Sequence, residues 1–206
     1  MKYRKFGNLG WDVSALGFGC MRFPIVGGNS ARIDEEPAAE MLYKAIDMGV
    51  NYIDTAYPYH GGQSEGFVGR TLEGAYRDKI KLATKMPTWK IDKYDDFDFY
   101  LNEQLDRLRT DHIDCYLLHA LNQKIWDKIH PLEVLSWAEK AKADGRILHL
   151  GFSFHDELPV FKGIIDAYQE WDFCMIQYNY MDEDYQAGSE GLSYAAERGL
   201  GVMIME

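Results

Sequence analysis

The chain has 206 residues, 47% of them hydrophobic and 27% charged, with a formal net charge of −11. That length and composition fit one soluble domain spanning 1–206 with a sizeable core, and the acidic balance argues against nucleic acid or an anionic membrane as a partner. No apolar run reaches a membrane-spanning length, and no apolar stretch follows the basic start at Lys2, Arg4 and Lys5, which argues against a signal peptide and for the cytoplasm.

In chain order, residues 2–13 turn around Gly7 and Gly10 and read as a small hairpin. Residues 13–20 read as a first buried strand, followed by a polar loop to Glu36. Pro37 opens a helix with an apolar stripe at Met41, Leu42, Ala45 and Ile46, and Gly49 stops it. The short apolar run at 51–54 ends on an acid, and Ser64 is placed to cap a helix containing Phe67, Val68, Thr71 and Leu72. Strands then read at 79–85, 113–119, 147–153, 174–178 and 202–206. Between them lie helical stripes at Phe97, Leu101, Leu105 and Leu108, at Leu135, Ala138 and Ala141, at Phe161, Ile164, Ile165 and Tyr168, and at Leu192, Ala195 and Ala196. Cys20, Cys115 and Cys174 are far apart, each in an apolar run, so buried thiols are expected rather than a disulfide or a metal cluster.

Strict strand–helix alternation implies parallel strands covered on both faces, which a doubly wound sheet and a (β/α)8 barrel both satisfy. The polar residues decide between them. Asp54, Lys85, His119, Ser153 and Gln177 fall at or near the C-terminal ends of successive, otherwise apolar strands. A barrel gathers such ends at one mouth, whereas an open sheet spreads them along a line.

A chemistry follows from the residue types. A phenol is a poor acid, with a reference pKa of roughly 10, and a neighbouring ammonium makes it a better proton donor. Lys85 supplies that ammonium for Tyr59, Asp54 holds Lys85 charged and in place, and His119 orients a substrate carbonyl. Singly each has a plain alternative: Asp54 a turn former, Tyr59 a packed aromatic, Lys85 a solvated strand end, His119 a structural histidine. Trp89 reads equally as a substrate-pocket wall or a loop aromatic. There is no Gly-x-Gly-x-x-Gly or Walker-type loop, and Gly17 and Gly19 alone serve a strand-to-loop turn as well as a cofactor.

With Gly17, Phe18 and Gly19, the run Asp54 to Tyr59, Ser64 and Glu65, Ala83 to Lys85, Asp114 to His119 and Gly151 to Ser153, the sequence resembles the aldo-keto reductase family over essentially its whole length. The resemblance implies a (β/α)8 TIM barrel, plugged at its bottom by the N-terminal hairpin, that reduces a small aldehyde or ketone with NADPH or NADH. It implies Tyr59 as general acid, Lys85 and Asp54 as its tuning pair and His119 as the carbonyl-orienting group. It places Cys20, Met21, Asp54, Ser153 and Gln177 against the nucleotide, with no metal.

Three positions depart from the family pattern: Phe154 stands where Asn is common, Met175 where a strand Gln is common, and Met205 where an aromatic stacks on the nicotinamide. They resemble a bacterial and archaeal branch whose longer members carry a C-terminal iron–sulfur extension, although three scattered cysteines lack cluster spacing. They also keep open a non-catalytic reading, a nucleotide-binding barrel acting as sensor or subunit. A metal-dependent hydrolase would use Asp54, His119 and His155, but it lacks a His-x-His pair and would place Lys85 among the ligands.

Seven strands can be counted from residue 13, the last ending at Met205 and Glu206. A closed barrel needs eight, in roughly 250 residues. The reading is of a barrel incomplete after strand seven, closed by a longer parent chain or by a partner copy. Weak nucleotide binding is expected of the 206-residue chain itself.

Overall fold

The computed structural model describes residues 1–205, so Glu206, read above as the end of the last strand, lies outside the described residues. An antiparallel hairpin, β1 (Tyr3–Lys5) with β2 (Asp12–Ser14), precedes a seven-stranded parallel sheet. Its strands are β3 (Phe18–Gly19), β4 (Tyr52–Asp54), β5 (Lys81–Met86), β6 (Ile113–Leu121), β7 (Ile147–Phe154), β8 (Phe173–Gln177) and β9 (Gly201–Met205), each paired with the next in chain order. Seven helices connect them: α1 (Glu35–Asp47), α2 (Ser64–Leu72), α3 (Asp95–Leu108), α4 (Gln123–Ile129), α5 (Val134–Ala143), α6 (Leu158–Asp166) and α7 (Gly188–Glu197).

The sheet is curled, and one ring shows it. Phe6 of the hairpin lies 6.0 Å from Tyr52 of β4 and 5.6 Å from Phe173 of β8, and a Cβ on Gly201 of β9 would meet it at 2.6 Å. In a flat sheet β4 and β9 would stand roughly 24 Å apart at ~4.8 Å per strand. Tyr52, Phe173 and Gly201 begin their strands, so the hairpin plugs the N-terminal end and leaves the C-terminal end open. Gly7 makes this docking possible: its φ is +52°, and a Cβ there would lie 2.3 Å from the amide nitrogen of Gly201.

Period-2 alternation splits each strand between two cores. Tyr52, Ala83, Cys115, Leu117, Phe173 and Met175 face inward with Phe6 and Val13. Ile53, Leu82, Tyr116, Leu118, Phe152, Phe154 and Cys174 face outward under the helices, where Trp137, Leu101 and Phe161 cover them. Each such large apolar side chain, fully buried, contributes about 1.5–3 kcal/mol. Cys20, Cys115 and Cys174 are all buried free thiols.

The local differences from the sequence reading have physical causes. The strand read at 13–20 is two elements, because Asn51 captures the backbone at 12–14: its side chain accepts from Ser14 N and donates to Asp12 O, and its N–H bonds Ser14 Oγ. The chain therefore bends before the barrel strand starts at Phe18. Ser64 does not cap α2; it is the first helical residue, and its hydroxyl is spent on Cys20 O at 3.2 Å and Thr55 Oγ1 at 2.9 Å. Helix α4 was not foreseen; Asn122 caps it by accepting from Ile125 N at 2.9 Å.

At the plugged end the buried Asp114 joins β5 to β6, accepting from Leu82 N at 3.1 Å, Arg77 at 2.8 Å and Lys81 at 3.0 Å. Burial pushes its carboxyl up, but Arg77, the Leu82 amide and Lys81 outweigh it and hold the group below the ordinary carboxylate range. A depressed carboxyl adds stability above its unfolded pKa and loses it as pH falls through the folded one. Asp114→Asn is therefore expected to cost about 1–3 kcal/mol at pH 7. In urea titrations the gap to wild type should narrow as pH falls through the carboxylate range; a gap independent of pH would contradict this.

Candidate active site

β4 ends at Asp54 and β5 carries Lys85 on the same inner face. Lys85, only 1% exposed, donates to Asp54 Oδ1 at 2.5 Å, to Thr55 O at 2.8 Å and to the Tyr59 hydroxyl at 3.3 Å. Three donors meet three acceptors. Tyr59 receives a hydrogen bond from the ammonium, so its own O–H is left to donate elsewhere. Burial opposes the charge on Lys85, but Asp54 and Tyr59 raise its pKa above the ordinary value. For Tyr59 burial is the largest influence and outweighs Lys85, so the phenol titrates above its ordinary value and keeps its proton at neutral pH.

His119 comes from the end of β6, with its ring 6.3 Å from that of Tyr59 and 5.3 Å from the half-exposed Trp89. Its backbone is clamped: Thr88 Oγ1 donates to His119 O at 2.7 Å, and the next residue, Ala120, takes φ +54° and donates its N–H to Ser153 Oγ at 2.7 Å. Burial, then Lys85 and His155, push the imidazole down to about 3. The ring is thus neutral across the physiological range. In a histidine-resolved NMR titration His119 should show no protonation step between pH 5 and 8; a midpoint near the ordinary histidine value of about 6.5 would overturn this assignment.

A cleft of about 770 Å³ runs from the hairpin up to this group. Met21, Asp54, Ser153 and Gln177 line it, as do Met175 and Met205. Strand register sets the wall in layers, with Ser153 beside Met175 and Gln177 beside Met205. Two sequence candidates for this region lie elsewhere. Cys20 is fully buried in the core between sheet and helices, because its backbone is tied to Asp54 and Ser64. Phe154 points outward, 5.0 Å from Phe161, so that departure from the family pattern does not face the cleft.

Arg4, Lys5, Arg22 and Lys85 line the cleft with one carboxylate, Asp54; Lys5 is paired with Asp12 at 2.9 Å and Lys85 with Asp54. Asp54 Oδ2 and His119 Nδ1 are buried without a hydrogen-bond partner, so the site holds an acceptor and a ring nitrogen for a ligand to satisfy. Among the described residues no three His, Cys, Asp or Glu side chains gather as metal ligands, and Asp54 holds Lys85 rather than standing with His119 and His155.

Sequence reasoning passed over His60, beside Tyr59 at φ +53°. Its Nε2 accepts from Phe23 N at 3.1 Å and its Nδ1 bonds Ser30 O at 2.7 Å, lashing the β3–α1 loop to the loop that carries Tyr59. Its position directly after Tyr59 was the signal available. Thr88 carried none, since it acts on the main-chain carbonyl of His119.

A curled parallel sheet, plugged at its N-terminal end and bearing this Asp–Lys–Tyr–His group at its C-terminal end, defines a barrel-type α/β protein. The aldo/keto reductase family model matches residues 15–206, and the chain belongs to that family. It is 35% identical over 162 residues, 74% of its length, to the uncharacterized oxidoreductase YqkF of Bacillus subtilis. It is 31% identical over 163 residues, 73% of its length, to the 6-dehydroglucose reductase of Novosphingobium aromaticivorans. It spans about half of these relatives, 49% and 51% of their lengths. Among solved structures, a putative aldo-keto reductase of Pseudomonas aeruginosa, PA4992, superimposes with TM-score 0.81 at 29% identity, covering 98% of this chain and 76% of that one. The holo form of AKR11C1 from Bacillus halodurans gives 0.80 at 30% identity, covering 99% and 65%.

Proposed function

We propose that the chain forms the catalytic part of an oxidoreductase that reduces an aldehyde or ketone with NADPH or NADH, with Tyr59 as general acid. One observation carries this reading: Lys85 spends its three protons on Asp54, Thr55 and Tyr59, so the Tyr59 proton is the one left to give. The residues of the cleft fit the nicotinamide end of a dinucleotide. Ser153 accepts from Ala120, which leaves its hydroxyl hydrogen to donate to a carboxamide oxygen. Gln177 presents an amide on the cleft wall, and the unpartnered Asp54 Oδ2 accepts from a ligand hydroxyl or N–H. The bound nicotinamide supplies the hydride.

In this mechanism neutral His119 orients the substrate carbonyl beside Tyr59, with Trp89 walling the approach. Tyr59 protonates the oxygen as the carbonyl carbon is reduced, and Lys85 stabilises the phenolate left behind. The test is titration with NADPH and NADH followed by nicotinamide fluorescence, then turnover on an aldehyde and ketone panel. Carbonyl turnover lost in Tyr59→Phe would support the reductase reading, and tight nucleotide binding without turnover of any carbonyl would favour the non-catalytic barrel instead.

A further inference from the structure

Behind β5, on the face away from the cleft, lies a polar cluster that the proposed reaction does not use. Ala83 O accepts from Thr55 N at 2.9 Å, at the end of the β4–β5 ladder. Carbonyls two residues apart on a strand point the same way, so Lys85 O faces the side from which β4 has already turned to lift Tyr59 over the ammonium. Gln104 of α3 fills that place, its Nε2 donating to Lys85 O at 3.0 Å.

Gln104 is itself fixed from three sides. Its Nε2 lies 2.5 Å from Glu65 Oε1 and 3.2 Å from Thr84 Oγ1, and its Oε1 accepts from Tyr116 OH at 2.7 Å. Glu65, Thr84 and Gln104 are each fully buried. Glu65 also accepts from Thr84 at 2.6 Å and from Arg107 at 3.3 Å. Arg107 reaches Tyr57 OH at 3.4 Å and lies 4.3 Å from the centre of the Tyr57 ring. One cluster thus holds the main chain under Lys85 and, two residues before Tyr59, the loop that carries the phenol.

Packing alone does not require this arrangement. A fully buried carboxylate with a part-exposed cation is a costly way to seat two helices, and apolar residues of similar volume often do so at no loss. We propose that Gln104, seated by Glu65, Thr84 and Tyr116, is a positioning residue that fixes the Lys85 backbone and so maintains the 3.3 Å contact between Lys85 and Tyr59. The claim rests on the reading of Tyr59 and Lys85 as the proton-donating pair.

The test reads the contact itself, by NMR of the Lys85 15Nζ resonance, assigned by its loss in Lys85→Met. Tyr59→Phe removes the hydroxyl that accepts from Lys85 and should shift this resonance in the native chain. The same change is then made in the Gln104→Leu background and in the milder Tyr116→Phe background, which keeps Gln104 and carries the test if Gln104→Leu does not fold. The proposal expects the shift to vanish in Gln104→Leu and to shrink in Tyr116→Phe, with kcat down by as much as about a hundredfold at unchanged KM. A full-size shift in the folded variants overturns the positioning role, whatever their turnover. If the native chain reduces no carbonyl, the reductase reading fails while the NMR comparison still decides this one.

Discussion

Tyr59→Phe is expected to lower kcat by about 10²–10⁴-fold, the usual worth of a positioned proton donor, and to leave nucleotide affinity unchanged. The substitution keeps the ring. Its contact with the Lys85 ammonium, 4.9 Å from the ring centre, and its edge-to-face approach to His119 survive. What disappears is one acceptor for Lys85 and the only O–H that the ammonium leaves undirected. The two effects separate in measurement: nicotinamide fluorescence reports binding, and single-turnover absorbance reports chemistry. A variant turning over within a few-fold of wild type would exclude Tyr59 as the acid. Loss of nucleotide affinity would instead mean that the hydroxyl belongs to the cofactor site.

The sheet was legible because a parallel strand buried on both faces reads as an apolar run, and residues 115–118 and 150–152 do so. The candidate group was legible for the complementary reason. Lys85 is 1% exposed on a largely buried strand, so its charge needs a partner, and Asp54 ends the neighbouring strand. What stayed hidden acts through the backbone or across long separations. Asn51 splits the first strand by binding main-chain groups at Asp12 and Ser14, 37 or more residues away, and no local pattern encodes that. Gln104 interrupts the apolar stripe of α3 between Leu101 and Leu105 as a surface residue would, yet it is fully buried because β4 ends short of its carbonyl. Cys20 was legible as a buried thiol from its apolar run, while the backbone bonds to Asp54 and Ser64 that turn it into the core were not.

Lys85→Met should be as damaging to turnover as the loss of Tyr59, and it should also destabilise the fold. Removing one member of a buried pair typically costs 3–5 kcal/mol, because the remaining charge stays desolvated. Here that charge is Asp54, whose carboxyl burial already pushes up, with Lys85 the influence that pulls it back down. Without Lys85 it must rise further. A carboxyl raised in the folded state stabilises below its unfolded pKa, and that contribution is lost as pH rises through the folded value. The stability deficit of Lys85→Met is therefore expected to be small in acid and to grow toward neutral pH, the same direction as for Asp114→Asn but from a stranded, raised carboxyl rather than a lost, depressed one. Adding Asp54→Asn to Lys85→Met removes the stranded charge, so the double variant should recover stability at pH 7 while remaining inactive. Urea unfolding of the three chains at two pH values measures this directly. A single variant as stable as wild type at pH 7, or a double variant less stable than the single, would show that the Asp54–Lys85 contact is not the paired buried charge described here.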